Sequence, residues 1–107
     1  MLGIFKVSDY ETVAAKDMEQ AKQYAKDELN YTDEDLEDAR RLDANKNYVW
    51  MDRDQVALVP GVSLIHYEQK QYDGEVVLLK VPYALGLKVY AEAYPETEAP
   101  YLISVND

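Results

Sequence analysis

The sequence predicts a small α+β fold in which an antiparallel sheet packs against amphipathic helices. Apolar residues recur at helical spacing after Asp17, which is the first observation behind this prediction. Short β-prone runs bounded by turn residues lie on both sides of that segment, and the pair Asp73-Gly74 joins two of them. At 107 residues the chain is short enough to form one domain over residues 1–107.

Six strands are expected from the β-prone runs. Asp73-Gly74 is typical of a two-residue hairpin turn, which would place Tyr72 opposite Glu75. The arm after this turn is apolar at both parities and predicts an interior strand, whereas the polar arm before it predicts an edge. A further short strand is suggested over residues 55–59. The six expected strands are residues 3–8, 10–15, 48–51, 62–72, 75–81 and 101–105.

The best-supported helix covers residues 17–30. Asp17 is a good N-cap that would accept from the amide of Gln20, while the Gln20 side chain reaches back, and Asn30 is a good stop. The apolar residues between them make a single stripe at spacings of three and four, which would face the core. This stripe consists of Met18, Ala21, Tyr24, Ala25 and Leu29.

Two further helices are expected. Thr32 is a suitable N-cap for a short acidic helix over residues 33–41, because acids are favoured in a first helical turn. Pro82 can open a helix over residues 83–94. Residues 87–94 also alternate as a strand would, but three alanines favour the helix despite Gly86.

The net charge of −10, from 21 acids against 11 Lys and Arg, narrows the function classes. Such a surface repels phosphates and anionic lipids, so direct binding to nucleic acid or to a membrane is not expected. No run approaches the roughly 18 apolar residues of a membrane helix. The chain has no cysteine and no secretory signal pattern, which predicts a cytoplasmic protein.

No catalytic residue, metal site or cofactor is predicted. His66 is the single histidine, and the chain lacks a glycine-rich phosphate loop. Asp33, Asp35 and Glu37 resemble half of a calcium loop, but its sixth and twelfth positions lack the required Gly and Glu. We therefore expect a protein that is not an enzyme.

The strongest local feature is a run of seven acids within residues 27–38. Three interpretations remain open: docking on a basic patch of another protein, mimicry of nucleic acid, or a solvated face. The ten tyrosines offer rings that suit both thin cores and protein interfaces. The candidate partner-binding residues are Asp33, Glu34, Asp35, Glu37, Asp38, Tyr31, Tyr67 and Tyr72.

The stretch Lys6-Val7-Ser8-Asp9-Tyr10-Glu11-Thr12-Val13-Ala14-Ala15 resembles small acidic proteins encoded by bacteriophages and prophages. Those proteins share a V-x-D-Y-E…A-A opening before an amphipathic helix, and often end like Pro100-Tyr101-Leu102-Ile103. The resemblance covers roughly residues 4–51 and the last eight. It implies a phage source and a small α+β fold, and it implies no catalytic residues.

These observations favour an interaction protein that binds a host protein with a basic surface. The most concrete version is an inhibitor of a nucleic-acid-handling or defence protein, of the anti-CRISPR or anti-restriction kind. An alternative is a structural protein that forms a homo-oligomer through the 66–72 edge and the tyrosines of residues 83–94. A second alternative is a small-molecule-binding module, which would require an apolar pocket.

Overall fold

The computed structural model describes residues 1–105 and confirms the α+β class, with three helices and two antiparallel sheets. Its residues group into unit 1, which comprises Met1–Asp43 and the described residues from Thr97 onward, and unit 2, Ala44–Glu96. One domain over residues 1–107 therefore stays a prediction. The strands are β1 Gly3–Lys6, β2 Glu11–Ala15, β3 Arg40–Leu42, β4 Tyr48–Asp52, β5 Gln69–Tyr72, β6 Val76–Pro82 and β7 Tyr101–Val105. The helices are α1 Met18–Leu29, α2 Arg53–Val56 and α3 Tyr83–Ala93.

Unit 1 contains a four-stranded sheet in the order β3-β1-β2-β7. The turn between β1 and β2 is held by Ser8, whose Oγ accepts from the backbone N–H groups of Tyr10 at 3.2 Å and Glu11 at 3.1 Å. Such a local bond from a serine side chain is typical of a tight turn. The predicted strands at 3–8, 10–15 and 101–105 are confirmed, the first two with shorter bounds.

Helix α1 confirms the predicted helix over residues 17–30. The Asp17 carboxylate accepts from the Gln20 N–H at 2.8 Å, and Gln20 Oε1 accepts from the Lys16 N–H at 2.9 Å. The reciprocal bond therefore reaches one residue before the N-cap. Asn30 ends the helix in the left-handed region, with φ of 60°. Ala21 and Ala25 of the predicted stripe are fully buried.

The predicted acidic helix over residues 33–41 is wrong. Residues 33–38 form successive turns with bonds three residues apart, such as Leu36 N–H to Asp33 C=O at 3.2 Å. Residues 40–42 are β3, which pairs with β1 and places the Arg41 guanidinium 5.7 Å from the centroid of the Phe5 ring. The sheet thus takes the backbone groups that a longer helix would need, while repulsion between acids four apart weakens that helix.

Unit 2 contains a three-stranded sheet in the order β4-β6-β5, with all neighbours antiparallel. The interior position of β6 and the edge position of β5 are confirmed. The predicted hairpin register is wrong by one residue, because Tyr72 lies opposite Val76 and Glu75 joins the loop. Asp73 and Gly74 both have positive φ, and the Gln71 side-chain amide donates to the Gly74 carbonyl, which stabilises the three-residue loop.

The predicted strand over residues 62–72 is wrong in its first part. Leu64–His66 is a 3-10 turn, and regular pairing covers only Gln69–Tyr72. The last ladder bond runs from the Lys80 N–H to the Glu68 carbonyl at 2.8 Å. The next residue of β6 that would donate to β5 is Pro82, which has no N–H, so the ladder between β5 and β6 ends there.

Two helices complete unit 2. Residues 53–56 form α2 instead of the suggested strand, because the Asp52 carboxylate caps the turn by accepting from the Asp54 N–H at 2.8 Å. The predicted helix over residues 83–94 is confirmed as α3. The core of unit 2 comprises Val49, Met51, Val56, Leu79, Val81, Tyr83 and Val89. In residues 1–105 no helix is both long enough and apolar enough to span a membrane.

Candidate functional site

The acidic segment, residues 31–38, is fixed to unit 1 by one apolar side chain. Leu36 is 1% exposed and belongs to a core cluster that includes Phe5, Val7 and Val13. The neighbouring acids Glu34, Asp35, Glu37 and Asp38 are all exposed. The buried Leu36 therefore anchors this run of turns to unit 1, while the flanking carboxylates are exposed to solvent.

Asp35 stabilises the segment internally. Its carboxylate accepts from the Thr32 N–H at 2.8 Å and from the Thr32 hydroxyl at 2.9 Å, while Thr32 Oγ1 accepts from the Asp35 N–H at 3.2 Å. This is the reciprocal pattern of a capping box, although a run of turns follows it rather than a helix. The bonds from Thr32 favour the ionised carboxylate and lower the pKa of Asp35.

Asp33 is also used within unit 1. Its carboxylate forms an ion pair with the Lys26 ammonium of α1. The hydrogen bond and charge of Lys26 lower the pKa of Asp33 from its usual range. The pair is exposed to water and contributes little to stability by itself.

The other three acids of the segment differ from Asp33 and Asp35. Within residues 1–105, the carboxylates of Glu34, Glu37 and Asp38 have no hydrogen-bond or ion-pair partner. They are therefore the acids of the segment that remain available to another molecule.

Tyr31 is used by the fold as well. The ring packs against the core cluster of unit 1, and the hydroxyl donates to the Glu11 carboxylate. That hydrogen bond is the main cause of the raised pKa of Tyr31. Its predicted role as an aromatic anchor for a partner is thus limited to the edge of a half-buried ring.

A small cleft adjoins the acidic segment. Its volume is about 210 Å³, below the roughly 300 Å³ at which ligand pockets usually begin. Carboxylates and cations share its walls with a single apolar side chain, Val7, so this cleft does not have the predominantly apolar lining that the small-molecule alternative requires. The lining residues are Lys6, Val7, Ser8, Asp9, Asp35, Asp38 and Arg40.

The two remaining candidate residues, Tyr67 and Tyr72, belong to unit 2. Tyr67 is half-buried between the 3-10 turn and β5, and Tyr72 at the end of β5 is 57% exposed. The eight candidate residues are therefore divided between the two units, with six of them in the acidic segment.

Sequence reasoning missed a surface on the outer face of the unit 2 sheet. The Lys70 ammonium lies 4.3 Å from the centroid of the Trp50 ring, and the Lys80 ammonium lies 5.5 Å from that of Tyr48. The alternation of Tyr48 with Trp50, and of Lys70 with Tyr72, is visible in the sequence. The correct hairpin register was needed to place these pairs on one face.

No group of three or more metal-ligating side chains that could hold an ion occurs in the part of the chain that the structure describes. Comparison with known proteins adds no assignment: no family model matches the chain, and no curated protein or solved structure matches it. The resemblance to phage proteins therefore stays a prediction.

Proposed function

We propose that this protein acts by stoichiometric binding to a basic surface of another protein, with the acidic segment as the contact. The observation that supports this proposal is the group of three exposed carboxylates without internal partners, Glu34, Glu37 and Asp38. The segment that carries them is anchored to the core of unit 1 by the buried Leu36 side chain. A preorganised group of like charges attracts a cationic surface at a lower entropic cost than a flexible tail would.

The net charge of −10 supports the same proposal through long-range steering. Charge complementarity accelerates encounter with a basic partner and repels nucleic acid. We propose a host protein as the partner, and the sequence resemblance to phage proteins suggests a nucleic-acid-handling or defence protein. Inhibition of the anti-CRISPR or anti-restriction kind would follow if the acidic segment occupied a surface that normally binds phosphates.

The test is a charge reversal with a matched control. The triple variant Glu34→Lys, Glu37→Lys, Asp38→Lys changes the acidic segment. The control is Glu92→Lys, Glu96→Lys, Glu98→Lys, three exposed acids elsewhere. Each reversal adds two charges, so both variants move from −10 to −4. Any difference in binding between the two variants is then due to where the charges were reversed, because their net charge is the same.

The measurement is affinity capture from a bacterial lysate at physiological salt, quantified by mass spectrometry. A specific partner should be retained by the wild type and by the control and lost from the segment variant by at least about tenfold. A short polylysine peptide serves as a second probe, because its affinity should fall equally for both variants, which have the same net charge. Equal capture by both variants of every protein that the wild type retains would contradict the proposal.

A further inference from the structure

The free edge of the unit 2 sheet carries an inference that is independent of the acidic segment. Strand β5 is the outermost strand, and all four of its residues are exposed. Among residues 1–105 no other strand pairs with it besides β6. An edge of this kind presents unpaired backbone groups to any strand that can approach.

The register shows which backbone groups are unpaired. In an antiparallel pair, every second residue directs its N–H and C=O at the neighbouring strand. The Lys80 N–H bonds the Glu68 carbonyl, and Gln69 lies opposite Leu79. The backbone N–H and C=O groups of Glu68, Lys70 and Tyr72 therefore point at β6. Those of Gln69 and Gln71 point away from the sheet.

The usual protection of an edge is weakened at this strand. A lysine on an edge strand normally projects its charge and discourages pairing. The Lys70 ammonium is instead held 4.3 Å from the centroid of the Trp50 ring, over its own sheet. The backbone edge at Gln69 and Gln71 is consequently left open.

We propose that β5 pairs with β5 of a second copy of this chain, antiparallel, about a two-fold axis at Gln69. Gln69 would then exchange two backbone hydrogen bonds with Gln69 of the second copy, which suits its outward groups. Lys70 lies opposite Glu68 of the second copy, and Glu68 opposite its Lys70. Each of these two cross-strand pairs brings opposite charges together.

Charge complementarity selects this arrangement and this occupant. An axis at Lys70 or at Gln71 would also align the outward groups, but the first places two lysines directly opposite each other and the second places Lys70 opposite the uncharged Tyr72. A two-fold interface needs residues that are complementary to their own symmetry mates, and Glu68 and Lys70 meet that condition about Gln69. The outer face adds half-exposed apolar surface from Tyr72 and Val76.

The test is sedimentation velocity of the whole chain from about 1 µM to about 1 mM, because a short edge gives a weak dimer. Gln71→Pro removes an outward N–H, which would bond Tyr67 of the second copy, without touching the ladder to β6. Gln71→Val is the matched control, since it also loses the side-chain bond to Gly74 but keeps the N–H. We expect at least about a tenfold loss of association for the proline variant and little change for the valine variant.

Glu68→Lys tests the register and remains informative if the proline variant does not fold. Lysine at this position would meet Lys70 of the second copy and weaken association at low salt by about threefold or more. In the register centred on Lys70 it would meet Tyr72 instead, and in the register centred on Gln71 it would meet Gly74, so neither predicts this loss. A wild type that stays monomeric over the whole range would overturn the proposal, as would equal association of the proline and valine variants. A monomer whose β5 edge instead captures a segment of another protein would also overturn it.

Discussion

Unit 1 and unit 2 differ strongly in charge. With residues 106–107 of the sequence counted in, unit 1 holds 14 acids against 6 Lys and Arg, and unit 2 holds 7 against 5, so their formal charges are −8 and −2. Most of the −10 therefore belongs to one half of the molecule. A net charge computed for the whole chain describes unit 1 well and unit 2 poorly.

The two units also use their cations differently. In unit 1, Lys26 pairs with the Asp33 carboxylate, whereas in unit 2 Lys70 and Lys80 lie over the Trp50 and Tyr48 rings. An acidic surface that remains negative is suited to attracting a basic partner. A nearly neutral sheet edge is suited to pairing with a copy of itself.

The two proposals consequently have opposite salt dependence. Binding of a basic protein to the acidic segment should weaken as salt screens the attraction. Self-association through β5 should strengthen with salt, because two chains of −10 repel each other at low ionic strength. Measuring both kinds of association at two salt concentrations distinguishes the two proposals without any mutation.

The largest expected effect concerns the attachment of the acidic segment. Leu36→Ala should lower the free energy of unfolding by about 3 kcal/mol, because it empties a buried site in unit 1. Urea denaturation measures this loss. The control is Leu58→Ala in unit 2, where the side chain is 52% exposed and a change within about 0.5 kcal/mol is expected. A loss as small for Leu36 as for Leu58 would mean that the segment is not anchored by this residue.

The second prediction concerns the tyrosine hydroxyls of the two units. Tyr31→Phe removes the donor to Glu11 and should lower the free energy of unfolding near neutral pH by about 1 kcal/mol. Tyr72→Phe in unit 2 is the control, since that side chain is more than half exposed. Equal losses for the two variants would contradict the role of the Glu11 bond.

The pH dependence of the same bond has a definite sign. The folded pKa of Tyr31 is raised above its usual value of 10.0. Its contribution to stability is therefore fully present below pH 10.0 and is lost as the pH rises through the folded pKa. The free energies of unfolding of the wild type and Tyr31→Phe, measured by urea titration, should therefore converge as the pH rises above 10.0 and through the folded pKa.

Local chemistry predicted a large part of the fold. Helix α1 follows from Asp17, Gln20 and Asn30, since capping residues act within a few positions of the chain. The interior strand β6 follows from its apolar residues at both parities. These signals were sufficient because no distant residue competes with them.

The errors arose from one distant pairing and from local side-chain contacts that the apolar pattern does not reveal. Residues 40–42 became a strand because β1 offered a partner, and no local pattern indicates that pairing. The hairpin register depended on the Gln71 side chain bonding the loop at Gly74. Of the candidate site, the exposure of Glu34, Glu37 and Asp38 agrees with the sequence prediction, while the internal use of Tyr31 required the fold.

The third prediction tests the cation–π contact of unit 2. Lys70→Gln should lower the free energy of unfolding by about 0.5 kcal/mol and shift the fluorescence emission of Trp50, the single tryptophan. The experiment is done at low protein concentration, so that association through β5 does not contribute. Lys88→Gln, an exposed lysine of α3, is the control and should leave the emission unchanged. An unchanged spectrum for Lys70→Gln would show that the Lys70 ammonium does not lie over the Trp50 ring in solution.

The smallest expected effect measures the charge difference between the units directly. Glu34→Gln relieves repulsion in unit 1 and should raise stability at low salt by about a few tenths of a kcal/mol, whereas Glu92→Gln in unit 2 should have less effect. Thermal midpoints of both variants and the wild type are compared at low and at moderate ionic strength. The midpoint of the wild type should rise with salt, because salt screens the repulsion between its acids. Glu34→Gln has already relieved part of that repulsion, so its midpoint should rise less with salt than the midpoint of Glu92→Gln does. Equal reductions would show that the −10 acts as a property of the whole chain, and the contrast between the units would then hold for side-chain contacts but not for stability.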